Sequence, residues 1–167
     1  ALRWNHVIHD KLFMNTTLTY SKYNLNTAIS LGTEYEDKST DLISLGYLSG
    51  IRDYAAKIDF DYVPSPRHFI RFGTNVIFHE FNPGQFNLEQ ISATNGINFK
   101  QTLGQPIKNA TEMAMYVEDD FEITKKLKVN VGLHLSGFSV DDAFYTSLQP
   151  RFSARYLLPK GIGLKAS

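Results

Sequence analysis

The sequence predicts an all-β fold: an antiparallel wall of long meander strands that crosses a membrane as part of a β-barrel. Three observations carry this expectation. From Leu127 to Leu135 the odd positions are Leu, Val, Val, Leu and Leu, while the even positions from Lys126 to Ser136 are Lys, Lys, Asn, Gly, His and Ser. A strict period of two suits only a strand with chemically opposite faces. The preceding arm repeats it, with Met113, Met115, Val117, Phe121 and Ile123 against Glu112, Ala114, Tyr116, Glu118, Asp120 and Glu122. Second, each arm carries about 12 patterned residues, twice the usual length of a soluble strand, and at a tilt near 45° it spans about 30 Å, the hydrocarbon thickness of a bilayer. Third, short and long connections alternate along the chain, as they do in outer-membrane barrels with tight turns on one side and long loops on the other.

The elements follow in order. Leu2, Trp4, His6 and Ile8 share a face opposite Arg3, Asn5 and His9, and His9-Asp10-Lys11 makes a polar turn. Leu12, Met14, Thr16, Leu18 and Tyr20 alternate with Phe13, Asn15, Thr17, Thr19 and Ser21 in a returning strand. The pattern then loosens over residues 24–44, read as a long exposed connection with extra strand around Ala28 to Tyr35. A third strand is expected from about Leu45 to Val63, with Tyr54, Ala56, Ile58, Phe60 and Tyr62 opposing Asp53, Ala55, Lys57, Asp59 and Asp61. Pro64–His68 is expected to turn the chain, since each proline removes a ladder donor. Ile70, Phe72, Thr74, Val76 and Phe78 then alternate with Arg71, Gly73, Asn75, Ile77 and His79. Residues 81–109 show no sustained period and read as a second long loop. After the hairpin around Thr124-Lys125-Lys126 a third loop is expected at 140–146. Leu148, Pro150, Phe152, Ala154, Tyr156 and Leu158 next oppose Ser147, Gln149, Arg151, Ser153 and Arg155, and Pro159-Lys160-Gly161 turns into a last strand with Ile162, Leu164 and Ala166. About eight long strands result. Aromatics near their ends form two expected belts, Trp4, Phe13, Tyr62, Phe69, Phe121 and Tyr156 toward the short turns and Tyr20, Tyr47, Phe78 and Phe138 toward the loops.

Composition narrows the function. Seventeen basic residues balance 17 acidic ones and are scattered singly, so nothing points to nucleic acid. The longest apolar run, Met113 to Val117, is far below the ~20 residues of a membrane helix, whereas alternation hides membrane strands from mean hydropathy. With no cysteine there is no disulfide framework, thiol nucleophile or thiolate metal site. No signal peptide is recognisable, so the expectation is either a removed signal or a chain that starts inside something larger.

Tyr116-Val117-Glu118-Asp119-Asp120-Phe121-Glu122-Ile123-Thr124 and Leu127-Lys128-Val129-Asn130-Val131-Gly132-Leu133 resemble a hairpin of TonB-dependent outer-membrane receptors. Arg3-Trp4-Asn5-His6, Asp10-Lys11-Leu12-Phe13, Asn15–Ser21 and Gln149-Pro150-Arg151-Phe152-Ser153-Ala154-Arg155-Tyr156 are similar to the Bacteroidetes branch of that family. The likeness covers the strands and not the long loops. It implies about 22 strands around an N-terminal plug, so that this chain is roughly a third of a barrel, without the plug or the usual aromatic-ended last strand. It implies nutrient import (a siderophore, cobalamin or oligosaccharide), outer-membrane lipid and the TonB protein as partners, the latter through a plug segment outside this chain, and admits a surface lipoprotein.

No catalytic residue, cofactor or metal site is expected. His6, His9, His68, His79 and His134 show no ligand spacing, and no phosphate loop or nucleophile constellation is present. Asp119 alone breaks the apolar phase, and its nearness to the turn, or a bulge, is expected to make it tolerable. The lumen-facing candidates for contact with plug or substrate are Glu112, Glu118, Asp120, Lys128, Arg151, Arg155 and Lys165, whose plainer role is mutual pairing along a wet wall. Two other readings stand beside this one, a complete eight-stranded barrel acting as adhesin or structural protein and a soluble β-sandwich that binds carbohydrate.

Overall fold

The computed structural model describes residues 1–36, 40–92 and 95–167, and within them the chain is almost wholly antiparallel strand. In chain order these are β1 (Leu2–His9), β2 (Leu12–Glu34), β3 (Thr40–Ser65), β4 (His68–Ser92), β5 (Ile97–Gly104), β6 (Lys108–Thr124), β7 (Leu127–Val140), β8 (Ala143–Leu157) and β9 (Gly163–Ala166), with a 3-10 turn at Pro159–Gly161 before the last. The sheet order is β1-β2-β3-β4-β6-β7-β8-β9, a meander in which β5 pairs with β4 beside the main path. The order is an open path and not a ring. Contacts divide the chain into two compact units, Ala1–Tyr20, Tyr54–Phe78 and Ala110–Ser167 in one, Ser21–Asp53 and His79–Asn109 in the other.

The first unit holds the expected hairpin. Met115 faces Leu135, Val117 faces Leu133 and Phe121 faces Val129, and the next register puts Leu148, Pro150, Phe152 and Ala154 on the same face. This face has no cover: Val131 is 53% exposed, Phe152 61% and Leu148 62%, while the buried apolar core of the described residues is Ala110 alone. A water-soluble fold buries such a stripe, because each large apolar side chain is worth about 1.5–3 kcal/mol when removed from water. A stripe this long and uncovered fits lipid, and it removes the basis for a β-sandwich, which needs two faces packed on each other.

The short turns repeat one device. Lys11 O accepts from Val63 N, Arg67 O from Glu122 N, and Lys126 O from Leu157 N, each at 2.8 Å. Each turn is thereby tied to the end of a neighbouring strand, which satisfies backbone groups that would otherwise face the interface. Pro64 does not stop β3 as expected. The strand runs to Ser65, and the proline carbonyl accepts Lys11 Nζ at 2.8 Å.

In the second unit the structure corrects two expected loops. The extra strand expected around Ala28 to Tyr35 is present, but as part of a continuous β2 that includes residues 24–34; residues 40–44 open β3, and most of 81–109 is the end of β4, β5 and the start of β6. Gln85 to Ser92 pair with Gly104 to Ile97 in unbroken register. The positions 37–39 and 93–94, inside those expected connections, lie outside the described residues. The extra strand makes nine where about eight are expected. The third expected loop, at 140–146, is a two-residue turn at Asp141–Asp142 between Val140 and Ala143. Asp141 takes a φ of 48°, the left-handed region that aspartate tolerates in tight hairpins. Tyr47 packs on Phe86 at 4.9 Å, over Gly84, where an added Cβ would come within 2.7 Å of its hydroxyl.

Candidate functional site

The polar face of β3, β4 and β6–β9 in the first unit carries the candidate residues. Period two fixes which side chains stand there, and register fixes which of them meet. Four rows cross the strands: Tyr116–His134–Gln149, Glu118–Gly132–Arg151, Asp120–Asn130–Ser153, and Glu122–Lys128–Arg155–Lys165.

Arg71 of β4 gathers the acids. Its Nη2 lies 2.7 Å from Glu118 Oε1 and 3.4 Å from Asp120 Oδ2. Asp120 also accepts from Asn130 Nδ2 at 2.9 Å, and Lys128 binds Glu122 at 2.9 Å. The expected cluster therefore divides. Glu118 and Asp120 share one guanidinium and Lys128 has a carboxylate, whereas Arg151, Arg155 and Lys165 have no acidic partner among the described residues. Glu112 stands opposite Phe138, three rows from Glu118.

Two further features are not legible in the strand pattern. Tyr116 reaches across Gly73 and donates its hydroxyl to Asp59 Oδ1 at 2.7 Å, while Lys57 Nζ binds the other oxygen at 2.9 Å. A Cβ on Gly73 would stand 2.5 Å from Ile58 O and 3.0 Å from the Tyr116 ring, so the glycine is the slot through which the phenol passes. Gly73 occupies a position where alternation asks for a polar residue, and that absence of a side chain is the one signal available. The second feature explains Asp119. No bulge turns it inward, since it keeps register with Val131. His68 Nδ1 meets its Oδ2 at 2.7 Å, and the His68 ring stacks on Phe121 at 4.3 Å. His79 and Asp53 form a similar pair at 2.8 Å in the second unit.

Among the described residues no three His, Asp or Glu side chains group as metal ligands would. The arrangement is a wall of charged and polar side chains joined by ion pairs and hydrogen bonds. No curated protein matches this chain. Over residues 1–167, its full length, it matches the family described as TonB dependent receptor-like, beta-barrel, whose members are outer-membrane transporters and not enzymes, and the chain belongs to that family.

Proposed function

We propose that the chain is one arc of a larger plugged barrel that imports a scarce nutrient across the outer membrane of a Gram-negative bacterium, driven through TonB. The observation that carries this is the pairing of an uncovered apolar face with a charged one on strands of 14 to 17 residues, as in β6 and β7. The open sheet order from β1 to β9 supports an arc of a wider barrel over a complete eight-stranded one. This part supplies wall and external loops in this reading, and the substrate is a siderophore, cobalamin or oligosaccharide. Glu112, Glu118, Asp120, Lys128, Arg151, Arg155 and Lys165 face the lumen and meet plug or substrate. The Bacteroidetes character rests on Arg3-Trp4-Asn5-His6 and Gln149–Tyr156, and no residue speaks for a surface lipoprotein.

The test is extraction of the intact protein from outer membranes, with its mass measured in detergent. A mass several times 19.0 kDa, with uptake lost when the proton-motive force is collapsed, is the expected result. A heat-modifiable protein of 19.0 kDa would exclude the transporter and leave a small closed barrel.

A further inference from the structure

Asp119 and His68 stand on the apolar phase of the first unit. Asp119 alternates in step with Met115, Val117 and Phe121 of β6, and His68 with Ile70, Phe72 and Val76 of β4. Polar groups on the lipid face of a membrane strand are expensive, and an ion pair seldom stabilises a fold more than apolar residues of the same volume would. Stability alone therefore does not account for the pair. His68 Nδ1 lies 2.7 Å from Asp119 Oδ2, and the ring stacks on Phe121 with centroids 4.3 Å apart and an interplanar angle of 13°. These contacts fix the ring and leave Nε2 as its open group, which is not buried and has no hydrogen-bond partner among the described residues. His68 is the first residue of β4, directly after Arg67, whose carbonyl accepts from Glu122 N at 2.8 Å near the end of β6. Lys125 and Lys126 turn the chain just beyond. None of these three cations has an acidic partner among the described residues.

We infer that His68, held in place by Asp119, binds the phosphate of one glycerophospholipid in the leaflet at the short-turn end. The inference rests on the reading of this face as lipid-facing and singles out one bound lipid from those that merely surround the wall. With a proton on each ring nitrogen, Nδ1 donates to Asp119 and Nε2 donates to a phosphate oxygen. Arg67, Lys125 and Lys126 supply positive charge for the remaining oxygens, Arg67 through a planar fork and the lysines as point charges. Phe121 under the imidazole is an aromatic of the interfacial belt, which sets the site at headgroup depth. The acyl chains then run along Val117 and Met115, 47% and 59% exposed on the same phase. Inorganic phosphate offers the same headgroup chemistry but makes no use of that apolar stripe, and this favours the lipid.

The experiment is native mass spectrometry of the detergent-purified full-length receptor titrated with dioleoylphosphatidylethanolamine, with dioleoylglycerol as the probe that lacks phosphate and inorganic phosphate as the one that lacks chains. One saturable phospholipid adduct is expected, absent with dioleoylglycerol, not displaced by inorganic phosphate, and weaker by about tenfold or more in H68F/D119L. That variant exchanges the pair for apolar groups and is expected to unfold at no lower urea concentration, so that lipid is lost while stability is kept, which a purely structural pair would not show. Should it fail to fold, R67Q/K125Q/K126Q, confined to the turns, is expected to weaken the adduct several-fold. No saturable adduct, an adduct equally tight in these variants, equal binding of dioleoylglycerol, or displacement by inorganic phosphate overturns the inference. A nitroxide at Ile70 relaxed by an aqueous nickel chelate and not by oxygen overturns the underlying lipid-facing reading instead.

Discussion

Tyr116 and Asp119 show how single residues settle what the strand pattern leaves open. The alternation places Tyr116 on the polar face, but only the model shows it spanning Gly73 to reach Asp59. Loss of a hydrogen bond to a carboxylate costs about 1.5–3 kcal/mol, so Tyr116→Phe is expected to lower stability by about 2 kcal/mol in urea unfolding of the receptor in lipid vesicles. Gly73→Val closes the slot and is expected to cost about 1–3 kcal/mol, and in that background Tyr116→Phe should cost little more. Full additivity of the two would show that the phenol does not use the gap. Asp119 is legible as an anomaly, a carboxylate on an apolar phase, but its partner is not, because His68 lies 51 residues away and only sheet order joins them. His68→Ala leaves that carboxylate unpaired and is expected to cost about 1–3 kcal/mol, with His68→Ala/Asp119→Ala recovering part of the loss. A double variant no more stable than the single one would argue against the pair.

At the scale of elements, the hairpin of β6 and β7 and the tight turns at 10–11, 66–67 and 125–126 are readable because one face is apolar and the other charged. The upper parts of β2 and β4 and the whole of β5 are not. Every residue of β5 is exposed, and a strand with water on both faces has no need of alternating polarity, so its sequence looks like loop. In hindsight Phe86 and Leu88, with Ile97, Phe99 and Leu103 opposite, do keep a period of two, masked by Pro83-Gly84 and the Asn and Gln between them. The turn at Asp141–Asp142 is hidden for another reason. Its cue is the backbone angle of one aspartate, φ 48°, and not a run of turn residues. Asp141→Val is expected to cost about 1–2 kcal/mol more than Asp141→Gly, because a β-branched residue resists the left-handed region. Equal effects of the two substitutions would mean that the turn is not held in this conformation.

For the molecule as a whole, long antiparallel strands with opposed faces give the fold class, and the match over residues 1–167 gives the family. Large apolar side chains such as Val131, Leu148 and Phe152 stand exposed along one face, while on the other Glu118 and Asp120 share Arg71, Glu122 holds Lys128 and Asp59 holds Lys57. The opposed faces follow from alternation and strand length. The substrate does not, because nothing in β6–β8 distinguishes one nutrient from another. The most direct measurement of the two-faced wall is a nitroxide scan from Val129 to Leu135 in the full-length receptor reconstituted in lipid, with one cysteine added per variant to this cysteine-free stretch and any cysteine elsewhere in the receptor replaced by serine. Labels at Val129, Val131, Leu133 and Leu135 are expected to be relaxed by dissolved oxygen, and those at Asn130, Gly132 and His134 by an aqueous nickel chelate, in strict alternation. Loss of that alternation, with both relaxants acting equally along the strand, would contradict a membrane wall.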